Sequence, residues 1–192
     1  ELNSEDDEKV ISNILKFYKN CIRDKSQKII QVTSIAQLFR ILLHIANLKD
    51  ANAPIIYRTL VFYFLENYDD RYIREIFINN FTNLFVTERS IPLEILMDPY
   101  LRQIKNSSNY EIIDFTFITN LLKHPRITLE ILRDILDFTF YVSMTNMFFS
   151  RSAKFLINEI LTKFLNQKNL KNNLNNKNID PEKAEIISLI FG

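Results

Sequence analysis

Two histidines, one cysteine and a short acidic cluster are the residues whose types most often carry chemistry in a chain like this one. A cysteine within reach of a histidine makes a nucleophile and base, and histidines converging with cysteines or carboxylates hold zinc. Neither arrangement is expected here. His44 and His124 stand far apart in sequence, each at or near a helix C-terminus, where an imidazole meets the negative end of the backbone dipole. Cys21 falls beside a helical apolar stripe, the setting of a small core residue. Glu5, Asp6, Asp7 and Glu8 gather at a helix start, where negative charge is favourable without any catalytic role. Glycine occurs once, at Gly192, so the chain lacks the residue on which phosphate-cradling loops and tight hairpins depend for positive φ. The expectation is a chain with no catalytic residues, no metal site and no cofactor.

The partner classes narrow in the same way. Lysine and arginine number 24 against 23 acidic residues, a net charge of +1, too balanced for binding driven by general neutralisation of phosphates. Any basic surface must be local. No run approaches about 18 uninterrupted apolar residues, and the acidic Glu1 to Glu8 differs from the basic start of a signal peptide. No membrane span is therefore expected, and a lone cysteine fits a reducing, cytoplasmic setting.

The elements that must position any surface read as helices. Ser4 and Asp7 cap a first helix, with Val10, Ile14, Tyr18 and Ile22 as its stripe to about Arg23. Ser34 with Gln37 three residues on has the form of a capping box, which predicts a second helix from Ser34 to about Lys49, with Leu38, Leu42 and Ile45 on one face. Short strands are open around Lys28 to Thr33. Pro54 suits the first turn of a third helix, which runs to about Asn67. Asp69 or Asp70 caps a fourth with Ile73, Phe77, Phe81 and Leu84 buried. Ser90 and Pro92 open a fifth that Asp98 and Pro99 should kink or split. A sixth is expected from Asn109 to His124, a seventh from Thr128, and an eighth from about Asn146 to Phe164. The polar stretch NQKNLKNNLNNKN at 166–178 has little to bury and reads as a loop or linker. Asp180 and Pro181 open a last helix with Ile186, Ile187 and Ile190. In outline, 1–165 form a helical-repeat domain, 166–179 a polar linker, and 180–192 a terminal capping helix of the same domain.

The chain also resembles itself. HIANLKD at 44–50, FTNLFVT at 81–87, ITNLLKH at 118–124 and INEILTK at 157–163 align on Asn47, Asn83, Asn120 and Asn158, in steps of 36, 37 and 38 residues. Such a step is the length of a two-helix repeat unit. Two residues before each asparagine stand Ile45, Phe81, Ile118 and Leu156; five before it stand Leu42, Ile78, Phe115 and Ala153. At about 100° per residue these apolar rows point away from the asparagines, so one row specifies a core seam and the other an exposed face. One such pair cannot bury its apolar side, but four stacked pairs share a core.

This paired-helix step and outward asparagine row resemble the armadillo and HEAT families of α-solenoids over nearly the whole chain. The resemblance implies an all-α, right-handed superhelical stack of antiparallel helix pairs, about four repeats plus a terminal helix. It implies a scaffold that binds a partner protein or extended peptide along its helical surface. In armadillo proteins an asparagine on the inner helix bonds the backbone of the bound peptide, and by position Asn47, Asn83, Asn120 and Asn158 match it. A side-chain amide donates and accepts at once, as that role requires; the same row also fits solvated helix faces that merely repeat. Nuclear-import armadillo receptors carry a tryptophan four residues before the asparagine. Here Leu43, Asn79, Thr116 and Lys154 stand there, and the chain has no tryptophan, which argues against a receptor of that kind.

The alternative is a helical-repeat RNA reader, which needs regularly spaced polar and stacking side chains. Asn83 and Asn120 keep such a spacing, but no aromatic or arginine row accompanies them, and only Lys168, Lys171 and Lys177 offer a basic arm. Phe138, Phe140, Tyr141, Phe148 and Phe149 exceed what two facing helices need, and fit either a deep interface between repeats or an apolar docking patch. Oligomeric state has no signature in the sequence.

Overall fold

The computed structural model describes residues 4–47, 51–88, 91–107, 109–124 and 127–165. Among them are eight helices and no strand: α1 (Ser4–Arg23), α2 (Lys28–Asn47), α3 (Ala53–Glu66), α4 (Arg71–Thr87), α5 (Glu94–Ser107), α6 (Ile112–Leu121), α7 (Leu129–Thr145) and α8 (Ser150–Leu165). The linker expected at 166–179 and the helix expected at 180–192 lie outside the described residues. The chain divides into two compact units, Glu1–Pro99 and Tyr100–Gly192.

In the first unit α1 packs on α2 and α3 on α4, while α1 also meets α3 and α2 meets α4. Odd helix lies against odd and even against even, as two stacked helix pairs require. The seam is aromatic because α4 places Phe77, Phe81 and Phe85 at helical spacing on one side. Phe81 is fully buried, with ring centroids 4.8 Å from Phe39, 5.6 Å from Phe64 and 6.3 Å from Tyr57. Tyr57 adds a polar tie, its hydroxyl donating to the carbonyl of Pro92 at 3.1 Å. Burial, with a smaller contribution from Glu94, pushes that phenol well above its ordinary range, so it serves as a neutral donor.

The helix starts show where local chemistry decides. Asp70 caps α4, accepting from the Ile73 N–H at 3.1 Å, and Pro54 sits in the first turn of α3. Ser34 is not a cap. It is buried inside α2, which begins six residues earlier than the capping-box pattern suggested, and Lys28 to Thr33 are its first turns rather than a strand. The chain turns instead at Asp24, whose carboxylate accepts from the Ser26 N–H at 3.0 Å. Gln31 then donates to the Ile22 carbonyl at 2.5 Å, a buried bond tying α2 to the end of α1. The stripe of α1 is buried only at its end: Ile22 is inaccessible, whereas Val10 is 55% exposed.

By length and composition α2 is apolar enough to cross a membrane, which differs from the expectation that no segment would qualify. Here it packs against α1, α3 and α4 and buries Ile35, Leu38, Phe39 and Leu42, while Ile29 and Ile30 at its start stay exposed.

Pro99 lies inside α5, which runs through it unbroken, so of the kink or split expected there the split does not occur. A proline in a helix interior costs about 3 kcal/mol. Leu96, Met97, Tyr100, Leu101 and Ile104 are buried along the same helix, and at about 1.5–3 kcal/mol for each large apolar side chain that burial outweighs one lost backbone bond.

In the second unit α8 packs on α7 and on α6. α6 starts at Ile112, later than the expected Asn109, because Glu111 and Asp114 form the capping box. Asp114 is fully buried, accepting from the Glu111 N–H at 2.7 Å and from the Tyr100 hydroxyl at 2.6 Å. Thr128 caps α7 as expected. Asn146 ends α7 rather than opening α8. The aromatic surplus divides. Phe138 is buried, and Phe149 stacks on Phe115 at 5.5 Å and meets Tyr110 edge-on at 5.2 Å. Phe140 and Tyr141 are half-buried, and Phe148 is 93% exposed.

Candidate functional site

The four aligned asparagines occupy the even-numbered helices. Asn47 ends α2, Asn83 lies in the last turns of α4, Asn120 is the penultimate residue of α6, and Asn158 is in the middle of α8. Asn47, Asn83 and Asn158 are exposed and Asn120 is half-buried. Of the eight residues two and five positions earlier, Leu42, Ile78, Phe81, Phe115, Ile118, Ala153 and Leu156 are buried, and Ile45 is half-buried. The apolar rows thus sit in the core while the amides sit at the surface, as the angular spacing along a helix requires. Among the described residues none of the four side-chain amides makes a hydrogen bond. Within the first unit the two helices that carry Asn47 and Asn83 pack together, and within the second the two that carry Asn120 and Asn158 do.

Asn120 also lines a groove of about 320 Å³ between α6 and α8, together with Ile112, Phe115, Thr116, Thr119, Arg151, Ser152 and Phe155. Its lips are apolar, Ile112 being 69% and Phe155 56% exposed. The Thr116 and Thr119 hydroxyls already donate to the carbonyls of Ile112 and Phe115, at 3.0 and 2.8 Å. They can therefore only accept from a ligand, whereas Arg151 can only donate and Asn120 can do both. An apolar slot edged by mixed donors and acceptors suits an extended backbone with an apolar side chain between its amides.

The residues with catalytic types are not gathered into a site. Cys21 is half-buried in α1. His44 is exposed in the last turn of α2, and His124 is buried just beyond α6. Among the described residues no three histidine, cysteine, aspartate or glutamate side chains stand close enough to share a metal ion.

One feature had no signal in the one-dimensional pattern. A groove of about 560 Å³ between α1 and α3 is lined by Leu15, Lys16, Lys19, Arg58, Thr59, Phe62 and Tyr63. Its residues come from two helices more than thirty positions apart, so only packing brings them together. The Tyr63 hydroxyl closes its floor by donating to the Leu15 carbonyl at 3.4 Å. Burial pushes that phenol above its ordinary range, with Arg23 opposing and Glu66 adding to the shift.

Compared with protein-family models, curated proteins and solved structures, the chain matches none.

Proposed function

We propose that the chain is a non-catalytic interaction scaffold, a superhelical stack of helix pairs of the armadillo or HEAT kind, that binds a partner protein or extended peptide along the face carrying Asn47, Asn83, Asn120 and Asn158. One observation carries this reading: four amides recur at the repeat step, three exposed and Asn120 half-buried, without a hydrogen bond among the described residues, while seven of the eight residues two and five positions earlier are buried. A peptide leaving water loses donors and acceptors together, and an amide replaces both. Within the second unit the groove beside Asn120 adds an apolar slot between α6 and α8. A cytoplasmic setting belongs to the same proposal and rests on the single cysteine.

Selection of a displayed library of random peptides on the intact chain tests it. The reading expects an enriched extended sequence that binds the wild type, survives raised salt, and is lost when all four asparagines are alanine. If nothing is enriched, or if the only ligand is RNA with an affinity that falls steeply with salt, the scaffold reading fails in favour of the helical-repeat RNA reader.

A further inference from the structure

The groove between α1 and α3 has an unusual charge environment. Lys16, Lys19 and Arg58 line it and, among the described residues, no carboxylate does. From Lys9 to Arg23, α1 has four basic residues and no acidic one, and from Ala53 to Leu65 α3 has Arg58 and no acidic one. Glu66, the one acidic residue of α3, is held by Arg23 at 2.5 Å, so its charge is neutralised locally. Lys16, Lys19 and Arg58 make no ion pair among the described residues. Three cations of like sign around one concavity raise a local positive potential that the near-zero net charge of the chain conceals.

The groove is apolar between those charges. Leu15, Phe62 and the ring of Tyr63 form its floor and wall, and Phe62 is 50% exposed. Beyond it the same two helices expose Phe17, at 63%, and Ile55, at 47%. We infer that this groove is a docking site for an acidic peptide segment, one that seats an apolar side chain against Leu15 and Phe62 while flanking carboxylates meet Lys16, Lys19 and Arg58. Arg58 presents a planar fork matched to a carboxylate, and the two lysines act as point charges. The concave form favours an inserted side chain over a flat anionic membrane. Exposed Phe62 and Phe17 also offer faces on which a base could stack, so an oligouridine is the discriminating competitor. The site is built by other helices than the asparagine face and does not rest on it.

The probe is a short fluorescein-labelled peptide with a central leucine–phenylalanine pair flanked by aspartates, titrated against the full chain by fluorescence anisotropy. Saturable binding is expected, weakening as salt rises, and absent for the same peptide with asparagines in place of aspartates. K16E together with R58E should weaken it by about tenfold or more, and F62A by several-fold, with the melting temperature unchanged because all three side chains are at the surface. N83A with N120A should leave it unaltered, so this site and the asparagine face can fail separately. No binding of the acidic peptide, binding indifferent to K16E with R58E, or tighter binding of an oligouridine of equal charge or of anionic vesicles by the same residues would overturn the inference.

Discussion

Replacing Phe81 by alanine, beside replacing Asn83 by alanine two residues later, separates the folding side of α4 from its exposed side. Phe81 is inaccessible to solvent and meets five aromatic rings, those of Phe39 at 4.8 Å, Phe64 at 5.6 Å, Phe77 and Phe85 at 6.2 Å each, and Tyr57 at 6.3 Å. Truncating a buried phenylalanine costs about 3–5 kcal/mol through lost transfer energy and the cavity left behind. Aromatic pairs add about 0.5–1.5 kcal/mol each beyond area, so the hub position belongs at the upper end, about 4–5 kcal/mol. Asn83 is exposed and its amide bonds nothing among the described residues, and alanine is the better helix former. N83A should therefore stay within about 0.5 kcal/mol of the wild type. Urea unfolding followed by circular dichroism measures both, and amide exchange should place the F81A loss in the first unit. A cost below about 1 kcal/mol for F81A would refute the seam; an N83A cost near that of F81A would make the asparagine structural glue rather than a free surface.

Asp70 should make stability sensitive to acid. Burial alone would raise its carboxyl, but the Lys28 ammonium and the Ile73 and Tyr72 N–H groups outweigh burial and hold it below the ordinary carboxylate range. Its contribution is then fully present above the unfolded value of about 3.9 and fades as pH falls through the lower folded value. D70A should cost about 1 kcal/mol near neutrality, and urea midpoints of variant and wild type should converge in acid; a constant gap would contradict the assignment. Y100F should cost about 1–3 kcal/mol, since it removes the phenolic donor to buried Asp114, and a neutral thermal shift would show that bond to be idle. F148S, at a side chain 93% exposed, should leave the unfolding midpoint within about 0.5 kcal/mol of wild type; a large loss would place Phe148 in the core.

Much of the helical framework was legible because helix ends carry local signals. Asp70, Thr128 and Pro54 act within one turn of themselves, so their roles survive without knowledge of any neighbour. The buried rows before each asparagine were legible for a related reason, since a helix converts spacing directly into facing. Signals that packing can override were misleading. Ser34 and Gln37 have the form of a cap, yet the apolar face of α2 extends past them and tertiary burial takes the serine into the helix. Pro99 reads as a breaker, yet the buried side chains around it hold α5 together. The burial of Arg74, its guanidinium 4.6 Å from the centre of the Tyr68 ring, had no signal in the helical pattern. The groove of Lys16, Lys19 and Arg58 was not legible at all, because no periodicity relates α1 to α3.

A scaffold role for this chain requires that the asparagine amides bond a ligand. The direct measurement is the dissociation constant of a peptide enriched on the wild-type chain, determined by calorimetry for wild type, N83A, N120A and the double variant, with thermal unfolding of each as the control for folding. A lost hydrogen bond of about 0.5–1.5 kcal/mol corresponds to an affinity about 2- to 13-fold weaker for each asparagine, and the expected result is a loss of that size in each single variant, with unfolding temperatures unchanged. Dissociation constants that stay at the wild-type value in all three variants would contradict the account and leave the asparagines as solvated residues that merely repeat.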